Sequence, residues 1–174
     1  MPEIIRGPVW TLSAPDGWTV RPSKEAPLAA PREEPCIALV APAGDAALRL
    51  FTWYDDRCRS AEEAARMCGE TAPQLGCSDV RQVRCGEFAG YTASQLDSRW
   101  WRHWWLAAGA VPLCPVYTCD PSVIGRDDAE VDAMLATLRA RPLAYELRRM
   151  AFRVYDAPAR WRFRRNLRAR GLNG

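Results

Sequence analysis

The stretch Trp100-Trp101-Arg102-His103-Trp104-Trp105-Leu106-Ala107-Ala108-Gly109-Ala110-Val111-Pro112-Leu113-Cys114-Pro115-Val116-Tyr117-Thr118-Cys119 decides the fold class. Its tryptophans recur at i, i+1, i+4 and i+5, a spacing that suits one face of a helix as well as a strand. Aromatic side chains favour extended backbone, and the run ends at the turn dipeptide Gly109-Ala110 before Val111-Pro112-Leu113, which a helix does not accommodate. The stretch therefore reads as two strands joined by a tight turn. As a strand, its first half points Trp101 and Trp105 to one face and Trp100 and Trp104 to the other, so both faces of the sheet require cover.

Upstream, Val9 to Leu12 and Trp18 to Val20 read as short strands separated by the turn Ala14-Pro15-Asp16-Gly17. Residues 22–35 hold four prolines and read as a surface loop. Ile37 to Val40 and Ala47 to Trp53 form a predicted hairpin around Pro42-Ala43-Gly44-Asp45. Ser60-Ala61-Glu62-Glu63 is a capping box that starts a helix to about Thr71, stopped by Pro73 and Gly76, with Ala61, Ala64, Ala65 and Cys68 as its small-residue face. Strands resume from Val80, with bends at Gly86-Glu87 and Gly90 before Tyr91 to Leu96. Arg126 to Arg139 is a helix with Val131, Met134, Leu135 and Leu138 on one face and acids in its first turn. Beyond Pro142, Leu143, Leu147, Met150 and Val154 fall on one helical stripe, and Asp156-Ala157-Pro158 reads as the cap of another helix.

These elements predict an α+β protein, an antiparallel sheet flanked by helices in an α-β-α sandwich, over residues 1–140, with an arginine-rich helical extension over 141–174. The 174-residue chain is 48% hydrophobic, enough for a core without disulfide or metal staples. Seven cysteines in no regular framework, together with the lack of a secretory h-region or a membrane-length apolar run, place the expected location in a reducing cytoplasm. The mild net charge of +3 conceals a division: residues 141–174 hold ten arginines against Glu146 and Asp156, or +8, and the rest of the chain sums to −5.

The opening Trp10-x-Leu12-x-x-Pro15-x-Gly17-Trp18, the bend at Gly86 and Gly90, the strand through Gly109 to Tyr117-Thr118-Cys119 and the helix ending Met134 to Arg139 together resemble the PsbP-like fold shared with the Ran-binding Mog proteins. The resemblance covers about residues 8–140 and is nearest to small bacterial branches that include immunity-like proteins and chaperones of type VI secretion effectors. It implies binding of a dedicated protein partner, a toxin or secreted effector, rather than catalysis.

The residues themselves offer little chemistry. His103 is the only histidine and has no cysteine or carboxylate at ligand spacing, so it reads as structural or surface and no metal site is expected. No cysteine has a positioned base, and no phosphate loop or nucleophile elbow is present, so no catalytic residue and no cofactor are assigned. Asp55-Asp56, beside Arg57 and Arg59, reads as a solvated turn. The partner-binding candidates are Arg99, Trp100, Arg102 and Trp104 on the sheet, and Trp161, Arg162, Arg164, Arg165 and Arg168 in the extension. The competing reading of the tryptophans is that all four are core. The extension has its own alternatives: a face docked on the body, a nucleic-acid contact, or an anionic membrane surface.

Overall fold

A computed structural model describes residues 2–23, 36–52 and 60–151. The predicted loop over 22–35 and Asp55-Asp56 fall largely or wholly outside these residues, as do the extension candidates Trp161, Arg162, Arg164, Arg165 and Arg168.

The chain starts with β1 (Glu3–Arg6) and β2 (Trp10–Ala14), then enters a larger sheet through β3 (Thr19–Ser23), β4 (Cys36–Val40) and β5 (Ala46–Phe51). Helix α1 (Ala61–Gln74) follows, then β6 (Ser78–Cys85), β7 (Phe88–Leu96), β8 (Trp100–Ala108) and β9 (Val111–Cys119). A 3-10 turn (Pro121–Val123), helix α2 (Asp128–Ala136), β10 (Arg139–Ala140) and a final helix α3 over 142–151 complete it. The large sheet has the order β3-β4-β5-β9-β8-β7-β6, with every pair antiparallel. A small sheet has the order β1-β2-β10. Helix α1 lies over β6, β7 and β8, and it carries the chain from β5 to the far edge, from which three consecutive antiparallel strands return to pair with β5.

The tryptophan strand behaves as its alternation predicts. Trp105 packs with Ala64, Cys68 and Ala72 of α1, with Trp101 partly buried at the edge of the same cluster. Trp104 packs with Trp10, Leu12, Val131, Met134 and Leu135 on the opposite face, with Trp100 at that margin. The second layer is thus α2 together with the small sheet. Trp10, Leu12 and Trp18 of the opening motif all lie in this core, and Trp18 Nε1 donates to Glu130 Oε2 of α2 at 2.6 Å.

Several boundaries differ from the sequence expectation. Ser60 caps α1, its Oγ accepting from the amide of Glu63 at 3.2 Å, but the helix runs past Thr71 to Gln74 with Pro73 in its last turn. The stop is a Schellman closure: Cys77 N–H donates to Ala72 O and Gly76 N–H to Pro73 O, with Gly76 at φ +70°. The buried small residues are Ala64, Cys68 and Ala72, whereas Ala61 is exposed. Gly90 is inside β7 rather than at a bend. There the backbone of the neighbouring strand comes so close that a Cβ would meet Trp105 O at 1.9 Å. Helix α2 ends at Ala136, short of Arg139, because Arg139 and Ala140 pair with Thr11 and Trp10 of β2. Strand β1 had no sequence signal: it has four residues, only Ile5 of them buried.

Candidate interaction surface

Among the described residues, two places that present groups a partner can reach lie at opposite ends of the large sheet. The first is the loop end. Ala46 and Trp100 both partner Cys119 across the ladder, so the 41–45 turn, the 97–99 turn and the 120–127 connection meet there. Their side chains are cross-tied. Arg99 donates from Nη2 to Asp45 O at 2.8 Å and from Nε to Thr118 Oγ1 at 3.1 Å. Arg126 reaches Asp45 Oδ2 at 2.8 Å and Asp127 Oδ1 at 2.9 Å, and the Tyr117 hydroxyl donates to Asp127 Oδ2 at 2.9 Å. Asp97 accepts from the Arg99 amide at 2.8 Å and from Trp101 Nε1 at 3.1 Å.

The electrostatics follow from these bonds. Hydrogen bonds from Arg126 hold Asp45 below the ordinary carboxylate range, and Arg126 with the Tyr117 hydroxyl does the same for Asp127. Burial, reinforced by the Asp127 bond, pushes the Tyr117 phenol up. Asp127 is accordingly not a side-chain cap for α2, as its place before the helix implies, but an acceptor for Tyr117 and Arg126. Against this polar frame stand bare aliphatic groups. Leu96, opposite Trp100 in the ladder, is 64% exposed, and Ile124 is 45% exposed.

The four sheet candidates separate here. Arg99 and Trp100 are half-buried at the loop end, where Trp100 meets the Tyr117 ring edge-on at 5.9 Å. Arg102 and Trp104 belong to the interior and line no groove. Trp104 is 1% exposed, and the Arg102 guanidinium lies 4.6 Å over its ring while pairing with Asp132 of α2 at 3.0 Å. Their burial has one cause: α2 closes this face of β8. Leu96 and Ile124 were not singled out from the sequence, where nothing distinguishes a strand-end leucine that faces solvent from one that does not.

His103 stacks between Trp101 and Trp105, at centroid distances of 6.2 and 5.9 Å, on the α1 side. Burial lowers its pKa to about 4, so the ring is neutral at pH 7. Among the described residues no group of three histidine, cysteine or carboxylate side chains is placed to hold a metal ion. Burial likewise raises the thiols of Cys68, Cys77, Cys85 and Cys119, Cys85 being pushed up to about 11.

The second place is α3. The Arg141 amide donates to Val9 O at 2.8 Å, and Arg141 Nη1 to Gly7 O at 3.2 Å. One turn on, Tyr145 is fully buried in the core of the α2 face. Of the apolar stripe read from the sequence, Leu143, Leu147 and Met150 are turned outward, 82%, 63% and 54% exposed, and Val154 lies outside the described residues. Arg149 pairs with Glu146 at 3.2 Å.

No protein-family model matches the chain, and no curated protein matches it in sequence. Solved structures do match in shape. A protein from Bacteroides thetaiotaomicron VPI-5482 aligns with a TM-score of 0.51 at 15% identity over 76% of this chain, which spans only 45% of that protein's length. Cyanobacterial PsbP (CyanoP) from Synechocystis sp. PCC 6803 aligns with a TM-score of 0.52 at 9% identity, over 80% of this chain and 91% of that one. At these identities the likeness concerns the fold alone, and with the antiparallel sheet, α1 and α2 it gives the conclusion that this chain has a PsbP-like α+β fold.

Proposed function

We propose that this protein is a non-catalytic binding module for a dedicated protein partner, such as a toxin or a secreted effector that it neutralises or escorts, and that the loop end is its contact surface. The observation that carries this reading is the exposed Leu96 beside half-buried Trp100, with Ile124 on the neighbouring connection. A tryptophan next to an arginine is the composition of interface hot spots, and the exposed aliphatic groups around it add apolar area that a partner can cover. The Arg99 and Arg126 bonds fix the three turns in advance, which lowers the ordering cost of association.

The test is affinity capture from the native host with the wild-type chain and with the Leu96→Asp/Ile124→Asp double variant. Both positions are exposed, so the variant keeps the wild-type circular dichroism and melting temperature. The reading expects one partner retained through a high-salt wash by the wild type and lost by the variant. Equal retention by both, or no retained partner, refutes it.

A further inference from the structure

The loop end carries a charge as well as apolar groups. Among the described residues, Asp45, Asp97, Asp120 and Asp127 stand there against Arg99 and Arg126, four carboxylates to two guanidiniums, or −2. The adjoining turns of α2 add Asp128, Glu130 and Asp132 against Arg102, a further −2. The balance reverses at the other end of the sheet, where Arg84, Arg139 and Arg141 stand against Glu87.

Two of these acids are exposed and face no cation. Asp97 accepts from the Arg99 amide, Trp101 Nε1, Ser98 and Gln95, and Asp120 from the amide and hydroxyl of Ser122. All of these donors are neutral and belong to the carboxylate's own turn or the strand beside it. The Arg99 amide and the Trp101 indole hold Asp97 below the ordinary carboxylate range, and the Ser122 hydroxyl and amide do the same for Asp120, so both are charged at pH 7. Arg99 and Arg126, by contrast, are committed to Asp45, Thr118 and Asp127.

We propose that the partner received at the loop end is a basic protein surface, an apolar centre that covers Leu96, Trp100 and Ile124, ringed by lysine or arginine side chains that meet Asp97 and Asp120. This rests on the reading of the loop end as the contact surface. Trp100 stands opposite Leu96 on one side and Cys119 on the other, so Asp97 and Asp120, each one residue further on, flank the tryptophan from both sides. Nucleic acid and anionic lipid are repelled by the same carboxylates. The rim charges set how fast a complex forms and the apolar centre how long it lasts. A basic partner is drawn to this end and turned away from the arginines at the other.

The test is selection of a random peptide library against the full chain, followed by binding kinetics of the enriched peptides. The enriched sequences are expected to join lysine or arginine to leucine or aromatic residues, with a net positive charge. Asp97→Asn/Asp120→Asn keeps an acceptor oxygen for each turn and removes only charge. It is expected to slow association about fivefold at low salt, to leave dissociation unchanged, and to match the wild type in about 0.5 M salt. Enriched peptides without a basic excess, or association untouched by the double asparagine variant, overturn the proposal. If Leu96→Ser/Ile124→Ser still abolishes binding of those peptides, the contact surface itself stands. Basic peptides that bind the serine variant as tightly as the wild type overturn the contact surface and this proposal with it, as does a chain that enriches no peptide.

Discussion

In α2, Val131, Met134 and Leu135, with Leu138 just beyond, fall at i, i+3, i+4 and i+7, and all are buried. In α3, Leu143, Leu147 and Met150 fall at i, i+4 and i+7, and all are exposed. Only five residues, 137–141, separate the two helices, and two of them form β10. Their difference teaches that periodicity defines a face without defining what covers it. The direction of each face is set by longer-range anchors: Arg102 to Asp132 and Trp18 to Glu130 for α2, and the burial of Tyr145 for α3.

The most severe way to break the comparison is to remove an anchor of each helix. Tyr145→Ala empties a fully buried aromatic site and is expected to cost about 4 kcal/mol. Leu135→Ala, deep under α2, is expected to cost about 3 kcal/mol. Urea denaturation measures both. A Tyr145→Ala chain as stable as wild type means that α3 is not held by the core, and the opposition between the helices then dissolves.

Acid titration sharpens the contrast, because the covered faces titrate and the bare stripe does not. His103 is neutral when folded, with a pKa near 4, but protonates near 6.5 when unfolded. The unfolded chain thus binds more protons between those values, so stability is full above about pH 6.5 and falls by up to about 3 kcal/mol as the pH drops to about 4. His103→Phe keeps a ring between Trp101 and Trp105 and is expected to flatten that slope in melting curves. Below this window Asp127 takes over. Its folded pKa is lowered by Arg126 and Tyr117, so its contribution is present above about pH 4 and is lost as the carboxylate protonates.

A smaller effect tests the frame at the start of α2. Tyr117→Phe removes one hydrogen bond to Asp127 while Arg126 continues to hold that carboxylate. The expected loss is about 1 kcal/mol by denaturant melting. A loss of several kcal/mol instead assigns Tyr117 a larger part in fixing α2 than one bond supplies.

Much of this was legible in local pattern. The alternation of Trp100 to Trp105 gave the faces, Gly109 the turn, and Ser60 the start of α1, because each is set by residues a few positions apart. What was not legible depends on distant pairing. Arg102 reads as an exposed arginine until Asp132 comes across from α2. Leu138 stays buried after α2 has ended because its amide still bonds Leu135 O at 3.1 Å, so the i+7 position survives while the helix does not. Strand β10 exists only because β2 offers Trp10 and Thr11 as partners, and the sequence from Arg139 to Ala140 carries no strand signal of its own. At the loop end, the exposure of Leu96 depends on what the 97–99 turn leaves open.

The smallest expected effect is the most discriminating. Leu143→Ser/Leu147→Ser changes two large apolar side chains that contribute little buried area to the folded chain, so the global stability is expected to stay within about 0.5 kcal/mol of wild type. The same change at Met134 and Leu135 removes two fully buried side chains and places hydroxyls in an apolar interior, which ends folding at ordinary temperature. Comparable apolar-to-serine changes thus yield a null result in one helix and collapse in the other. Should the α3 pair prove destabilising by 2 kcal/mol or more on the scale of core truncations, the stripe is covered in solution by the chain itself, and α3 ceases to be a surface on which anything else docks.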